Sequence, residues 1–284
     1  MRRRLGAGGL LLVLSAASPG AHAACVERPG AAPRFSAEEI LLGTGVLNHL
    51  EVAVGPTELS VGVCDLFQVG TYLPPYLVTL LDAGNAMPNL AFKGRLFTVG
   101  PMSVGAAVTF FYVQLERFDR SKLGLRAWVV PARLIAEVAW LPDWTTTLEL
   151  TTVWMELNGT VRLPRHVVLR GAGAGQSTHL SLVQRYRLAD RWSVWARARV
   201  SFDRAPVVMH GQTVAAGDVR LRVRAQGELA RGASGITGVG GVSWTYDNFN
   251  LLVGAGYGTL FIPWLELPVG LDTFAWELSA TWRF

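Results

Sequence analysis

Residues 273–284 read TFAWELSATWRF, and the fold is decided there. Phe274, Trp276, Leu278, Ala280, Trp282 and Phe284 fall on one side of an extended chain, with Thr273, Ala275, Glu277, Ser279, Thr281 and Arg283 on the other. A period of two marks a β-strand whose faces meet different surroundings. Here one face is aromatic and aliphatic and the other polar and charged. A soluble sheet could carry such a strand over a core, so the rest of the chain must say what the apolar face meets.

A closing strand that ends on an aromatic residue resembles the last strand of Gram-negative outer-membrane β-barrels. In those proteins a C-terminal Phe is part of the assembly signal, so the resemblance implies that role for Phe284 and a contact with the outer-membrane assembly machinery. The N-terminus agrees: Arg2, Arg3 and Arg4, an apolar run over residues 5–17 and the small-residue site Ala21-His22-Ala23 have the three parts of a secretory signal peptide. Residues 1–23 are therefore expected to be a signal peptide, 24–37 a periplasmic N-terminal segment and 38–284 an outer-membrane barrel. No stretch has the roughly 20 apolar residues of a spanning helix, so a membrane location means strands. Half the residues are hydrophobic and 17% charged, in short alternating runs broken by Gly, Pro, Asp and Asn, which suits a barrel facing lipid outside and water inside. Removing Arg2, Arg3 and Arg4 from a net charge of +5 leaves +2. With no basic aromatic stripe, a nucleic-acid partner is not expected.

Alternating runs occur over residues 40–54, 57–63, 66–73, 88–98, 102–116, 122–141, 144–157, 177–188, 191–203, 235–246, 249–262 and 272–284. The expected fold is thus all-β, a transmembrane antiparallel up-and-down barrel of about 12 strands. An even count returns both ends to the periplasm. It also gives short periplasmic turns at 64–65, 100–101, 142–143, 189–190 and 247–248, and mostly longer outer loops, including 158–176 and 204–234. Residues 218–230 alternate too, but counting them as a spanning strand breaks the parity, so they read as an extended part of the outer loop. A short helical piece is expected over 75–83. Pro131 costs a ladder hydrogen bond, and a bulge with a slip of phase is expected there. Trp140, Trp144, Trp192, Tyr246, Phe249, Trp276, Trp282 and Phe284 sit near strand ends, where aromatic belts form.

With this register, the polar faces place Lys93, Arg95, Arg126, Arg133, Arg185, Arg187, Arg197, Arg199 and Arg283 in the lumen against Glu137, Glu149 and Glu277. Guanidinium groups around water favour carboxylate and phosphate. The reading is a channel or uptake protein for small solutes, tending to anions. The bland alternative is a narrow barrel closed by Arg–Glu networks, structural or adhesive through its outer loops.

Enzymatic signals are thin. His179 and Ser181 share a face and imitate part of a Ser-His hydrolase, but a polar lumen explains both, and the chain is read as no enzyme. No Cys and His pair has metal-ligand spacing, and neither metal nor cofactor is expected. Gly171 to Gly175 lacks the strand-to-helix context of a phosphate loop and reads as outer loop. Cys25 and Cys64 both face the oxidising periplasm, where they either pair as a disulfide or remain free thiols. The segment with Gly62, Val63 and Asp65, then Asn89, Leu90 and Lys93, is similar to outer-membrane barrel families with a Gly-Val-x-Asp turn followed by an Asn-Leu-x-x-Lys strand. Here Cys64 stands for the usual small polar residue. That resemblance implies the barrel fold and movement of small hydrophobic or aromatic compounds.

Overall fold

The computed structural model describes residues 35–81, 85–115, 122–163, 167–202, 208–216, 219–221, 225–228, 235–262 and 265–284. Residues 1–23, which read as a signal peptide, and Cys25 lie outside them. Twelve antiparallel strands close on themselves: β1 Val52–Val54, β2 Glu58–Val63, β3 Phe67–Tyr72, β4 Asn89–Val99, β5 Met102–Leu115, β6 Lys122–Leu141, β7 Trp144–Leu163, β8 Val167–Ala189, β9 Trp192–Ser201, β10 Ile236–Tyr246, β11 Phe249–Ile262 and β12 Leu267–Arg283. The seam joins β1 to β12 with Ala53 opposite Arg283 and Val54 opposite Trp282. Phe284 extends it, accepting from Val52 N at 3.0 Å and donating to Val52 O at 2.9 Å. Among the described residues each of the twelve strands pairs with a neighbour on both sides, the arrangement that lets strands cross lipid.

The five periplasmic turns are tight, as the sequence indicates. Cys64 and Asp65 have φ of 58° and 54°, Gly100 of 57° and Asp247 of 49°, the left-handed values that short hairpin turns need. The expected helical piece is α2, Pro74–Leu81.

The outside is apolar. Trp128, Leu134, Leu150, Trp154, Leu182, Val253 and Leu278 are all exposed on it. Near the periplasmic turns an aromatic girdle runs from Trp192 to Trp244 at 6.4 Å, Trp244 to Phe249 at 5.9 Å and Phe249 to Trp282 at 4.4 Å. A second girdle includes Trp128, packed on Tyr112 at 4.9 Å, and the exposed Trp154 and Tyr257. Trp128 and Trp140 are twelve residues apart on β6, which at the usual tilt is about 30 Å of membrane thickness. The chain is therefore an outer-membrane protein in contact with lipid.

Three expectations give way. The run 40–54 is not one strand: only Val52–Val54 joins the sheet, and residues before it form the helix α1, Ala37–Leu42, inside the barrel. The outer loop expected at 158–176 is largely strand, because β7 and β8 stay paired from Trp144–Tyr186 to Leu163–Val167. Gly and Ala at 171–175 fit either face, so they carry no alternation to read. Finally, β6 keeps one register on β7 from Lys122–Arg162 to Ala139–Thr145, with no slip at Pro131. The shift comes only between Ala139 and Leu141. Pro131 interrupts the ladder to β5 without moving it.

The alternating stretch beyond β9 does stand outside the barrel. Val208–Ala216 pairs with the outer half of β8 and with Val219–Leu221 and Ala225–Glu228.

Candidate functional site

The lumen is built in three layers. The lowest is α1, entering from the periplasmic side. Ser36 caps it: Glu39 N donates to Ser36 Oγ at 3.2 Å, and Ser36 N donates to Glu39 Oε2 at 2.6 Å, a capping box. Six residues are too few for a helix to persist alone, so the barrel wall holds it. Lys93 Nζ donates to Ile40 O at 2.5 Å. Ser243 Oγ donates a short hydrogen bond to Glu38 Oε1, and Thr245 Oγ1 reaches the same oxygen at 3.4 Å. Arg185 approaches Glu39 at 3.8 Å, Thr44 and Ser103 share a 2.6 Å bond, and Arg283 donates to Phe35 O at 2.8 Å. Leu42 packs with Val183, Trp195 and Leu252, and Ile40 and Leu47 with Ala53. Small apolar contacts and single hydrogen bonds hold this plug.

The middle layer is ionic. Arg197 NH1 donates to both carboxylate oxygens of Glu277, at 2.9 and 3.0 Å, bridging β9 and β12. Arg133 stands 3.9 Å from Glu149.

The upper layer is closed by the turn between β11 and β12, where Leu265 and Glu266 fold inward. Leu265 and Leu267 pack on Phe111, Val129 and Val153. Arg199 NH1 pairs with Glu266 Oε2 at 2.9 Å, and His179 Nε2 lies 3.5 Å from it. Burial works against ionising Glu266, but Arg199 and then His179 outweigh it and hold the carboxyl well below its ordinary range. Phe261 completes the layer, with Arg199 4.5 Å above its ring and His179 on its edge at 5.2 Å.

Of the residues read as lumenal, Lys93, Arg95, Arg133, Glu137, Glu149, Arg185, Arg197, Arg199, Glu277 and Arg283 lie on the inward face, and Arg187 at the exposed periplasmic rim. Arg126 is a correction. It stands exposed on the outer face opposite Gln114 and Asn158, beside the buried, inward Ala127 and Val129. With no slip at Pro131, the inward set of β6 runs unbroken through Ala127, Val129, Arg133 and Glu137.

Five carboxylates were not foreseen: Glu38 and Glu39 on α1, Glu51, Glu58 on β2 and Glu266. With them the lumen and its periplasmic rim together hold Lys93, Arg95, Arg133, Arg185, Arg187, Arg197, Arg199 and Arg283 against Glu38, Glu39, Glu51, Glu58, Glu137, Glu149, Glu266 and Glu277, eight against eight among the described residues. The lopsided wall is balanced once the plug is seated. Ser36 and Glu39 already had capping-box spacing, the one signal that could have revealed α1.

His179 and Ser181 do not meet as base and nucleophile among the described contacts. Ser181 Oγ accepts from Arg199 Nε at 3.1 Å, and His179 faces Phe261 and Glu266. Cys64 is disulfide-bonded, and Cys25 lies outside the described residues.

A closed barrel with an apolar belt, a polar lumen and an inserted plug defines an outer-membrane β-barrel protein. Among solved structures, the chain is similar to the CymD monoaromatic hydrocarbon channel, at 12% identity over 90% of this chain and 95% of that one, with a TM-score of 0.46. It is also similar to the toluene transporter TodX of Pseudomonas putida, at 11% identity over 82% and 85%, TM-score 0.43, and to OmpT, an outer membrane protein of Vibrio cholerae, at 12% over 80% and 63%, TM-score 0.34. No protein-family model matches the chain, and no curated protein does. The assignment to the outer membrane rests on the closed ladder and the apolar exterior.

Proposed function

We propose that this protein is an outer-membrane channel or uptake protein for small solutes, with α1 as a removable plug. One observation carries the reading: the plug is docked by isolated polar bonds on a wall that keeps buried polar atoms without hydrogen-bond partners, among them Arg185 NH1, Trp195 Nε1 and Arg197 Nε. A barrel interior serving only as scaffold would be expected to satisfy such groups. Unpaired donors in a lumen suit a conduit that water or solute fills.

Charge gives the direction of selectivity. Removing α1 takes Glu38 and Glu39 away and leaves eight cations against six carboxylates. The seated state is neutral and the open wall mildly cationic, so a preference for anions belongs to the open state only.

Planar-bilayer recordings test this. The full chain is expected to conduct rarely, and a Glu38→Ala, Ser243→Ala variant, which leaves every wall cation in place, often, with chloride favoured over potassium. A folded variant that stays silent would instead favour a closed barrel acting through the outer sheet on β8, a reading that the pairing of Val208–Ala216 outside the barrel supports.

A further inference from the structure

The lower lumen wall has a patch in which charge and apolar surface meet. Trp195 on β9 lies directly across the ladder from Arg185 on β8, and Arg197 follows two residues on, on the same face. Its guanidinium carbon is 5.9 Å from the Trp195 ring centre. On the other side Trp195 is opposite Gly241, itself opposite Gly254. A Cβ on Gly241 or Gly254 would come within 2.7 or 2.5 Å of the indole, so these two glycines let the ring lie flat against the wall. Trp195 is 3% exposed, yet its Nε1 has no hydrogen-bond partner. Arg185 NH1 and Arg197 Nε are in the same condition.

All three spare atoms are N–H donors. A water molecule brings two hydrogens that need acceptors, whereas an anion accepts everywhere. Beside the donors lies an apolar socket of Trp195, Val183 and Leu252, with Val239 packed on it. Two side chains of α1, three residues apart on one face of the helix, occupy this region: Glu39 brings Oε1 to 3.8 Å from Arg185 NH2 while its Oε2 accepts from Ser36 N, leaving Arg185 NH1 spare, and Leu42 fills the socket. A carboxylate and an isobutyl group are thus presented together to a donor cluster and an apolar pocket.

We infer that the patch of Arg185, Trp195 and Arg197 is a binding site for a small monocarboxylate with a short aliphatic body, and that α1 occupies it with Glu39 and Leu42 as a built-in stand-in. Ligand and plug compete for one surface, so a solute that reaches this wall displaces the plug. This rests on the channel reading for its purpose, although binding can be measured without conduction.

The test is calorimetric titration of the full-length protein in detergent with 4-methylpentanoate, and with 4-methylpentanamide as the uncharged match. A Glu39→Gln, Leu42→Ala variant removes the stand-in and should bind the acid at least about tenfold tighter than the unaltered protein, the scale of one charge-assisted hydrogen bond. Adding Arg185→Gln should reverse most of that gain, and the amide should bind at least about tenfold more weakly than the acid. Should Arg185→Gln hinder folding, Arg185→Lys keeps the charge while losing the second donor arm, and should weaken the acid alone. Equal binding of acid and amide, or no gain on removing the stand-in, overturns the inference. Conductance recorded on the same samples separates the two readings. Conduction without acid-selective binding sinks the site and leaves the channel; acid-selective binding without conduction does the reverse.

Discussion

Lys93 Nζ, on β4, donates to the carbonyl of Ile40 in α1 at 2.5 Å, joining wall to plug across the lumen. The last turn of α1 contains no basic residue of its own, and its carbonyls carry the negative end of the helix dipole. Lys93 supplies the missing cation from the barrel. Lys93→Met keeps the aliphatic length and removes the donor, at a cost of about 1–3 kcal/mol. The expected outcome is a higher open probability in bilayers with the barrel still folded. An unchanged open probability would show that the plug is held by its other contacts.

The Arg197–Glu277 bridge spans β9 and β12, with side chains 16% and 29% exposed. Breaking one half strands a guanidinium in a poorly solvated lumen. Glu277→Gln is expected to lower unfolding stability by on the order of 2–3 kcal/mol, read by urea titration of the folded band on unheated gels. Arg197→Met with Glu277→Leu should recover most of the loss, because both charges leave together.

Glu266 gives a pH dependence of known sign. Its carboxyl is depressed in the folded protein, so its contribution is complete above the ordinary carboxyl range and fades as pH falls through the lower folded value. The stability difference between the unaltered chain and Glu266→Gln is expected to stay level from neutrality to about pH 5 and to shrink only in stronger acid. A difference that disappears between pH 7 and pH 5 would contradict the Arg199 pairing.

Gly62 marks where the segment after α1 presses on the wall. A Cβ there would lie 1.8 Å from Asn48 O and 2.7 Å from Leu47 O, both backbone atoms that cannot rotate away. Gly62→Ala is therefore expected to unseat residues 46–51 and raise conductance. Gly238→Ala, whose Cβ meets nothing within 4 Å, should be silent in the same recordings.

Phe284 completes the seam through its two backbone bonds to Val52. Deleting it removes both. The expected result is a lower yield of folded barrel on refolding in detergent, read by mobility on unheated gels, and an unchanged yield would show that the seam holds without this residue.

The barrel was legible because its signal is local. In β12, Phe274, Trp276, Leu278 and Trp282 are exposed, and Ala275, Thr281 and Arg283 are buried, as alternation requires. The plug was not legible by that route. Residues 40–54 look like a strand, since Ile40, Leu42, Val46 and Leu47 are as apolar as strand residues, but here all four are buried inside the barrel. The outer sheet was partly hidden because Gly and Ala at 171–175 give a strand no greasy side. Arg126 reads as inward only if Pro131 shifts the phase, whereas a neighbouring ladder with fixed register overrides one missing donor.

By itself the sequence determined an antiparallel barrel in the outer membrane. Alternation, turn residues and strand parity are properties of neighbours along the chain, and lipid outside with water inside leaves one way to satisfy them. Only the tertiary structure decided what fills the cylinder. Whether Lys93 meets a carbonyl, or Arg185 a carboxylate of α1, depends on groups more than 50 residues away in the chain. Charge balance in the lumen is a sum over everything brought there, and no single strand's pattern contains it.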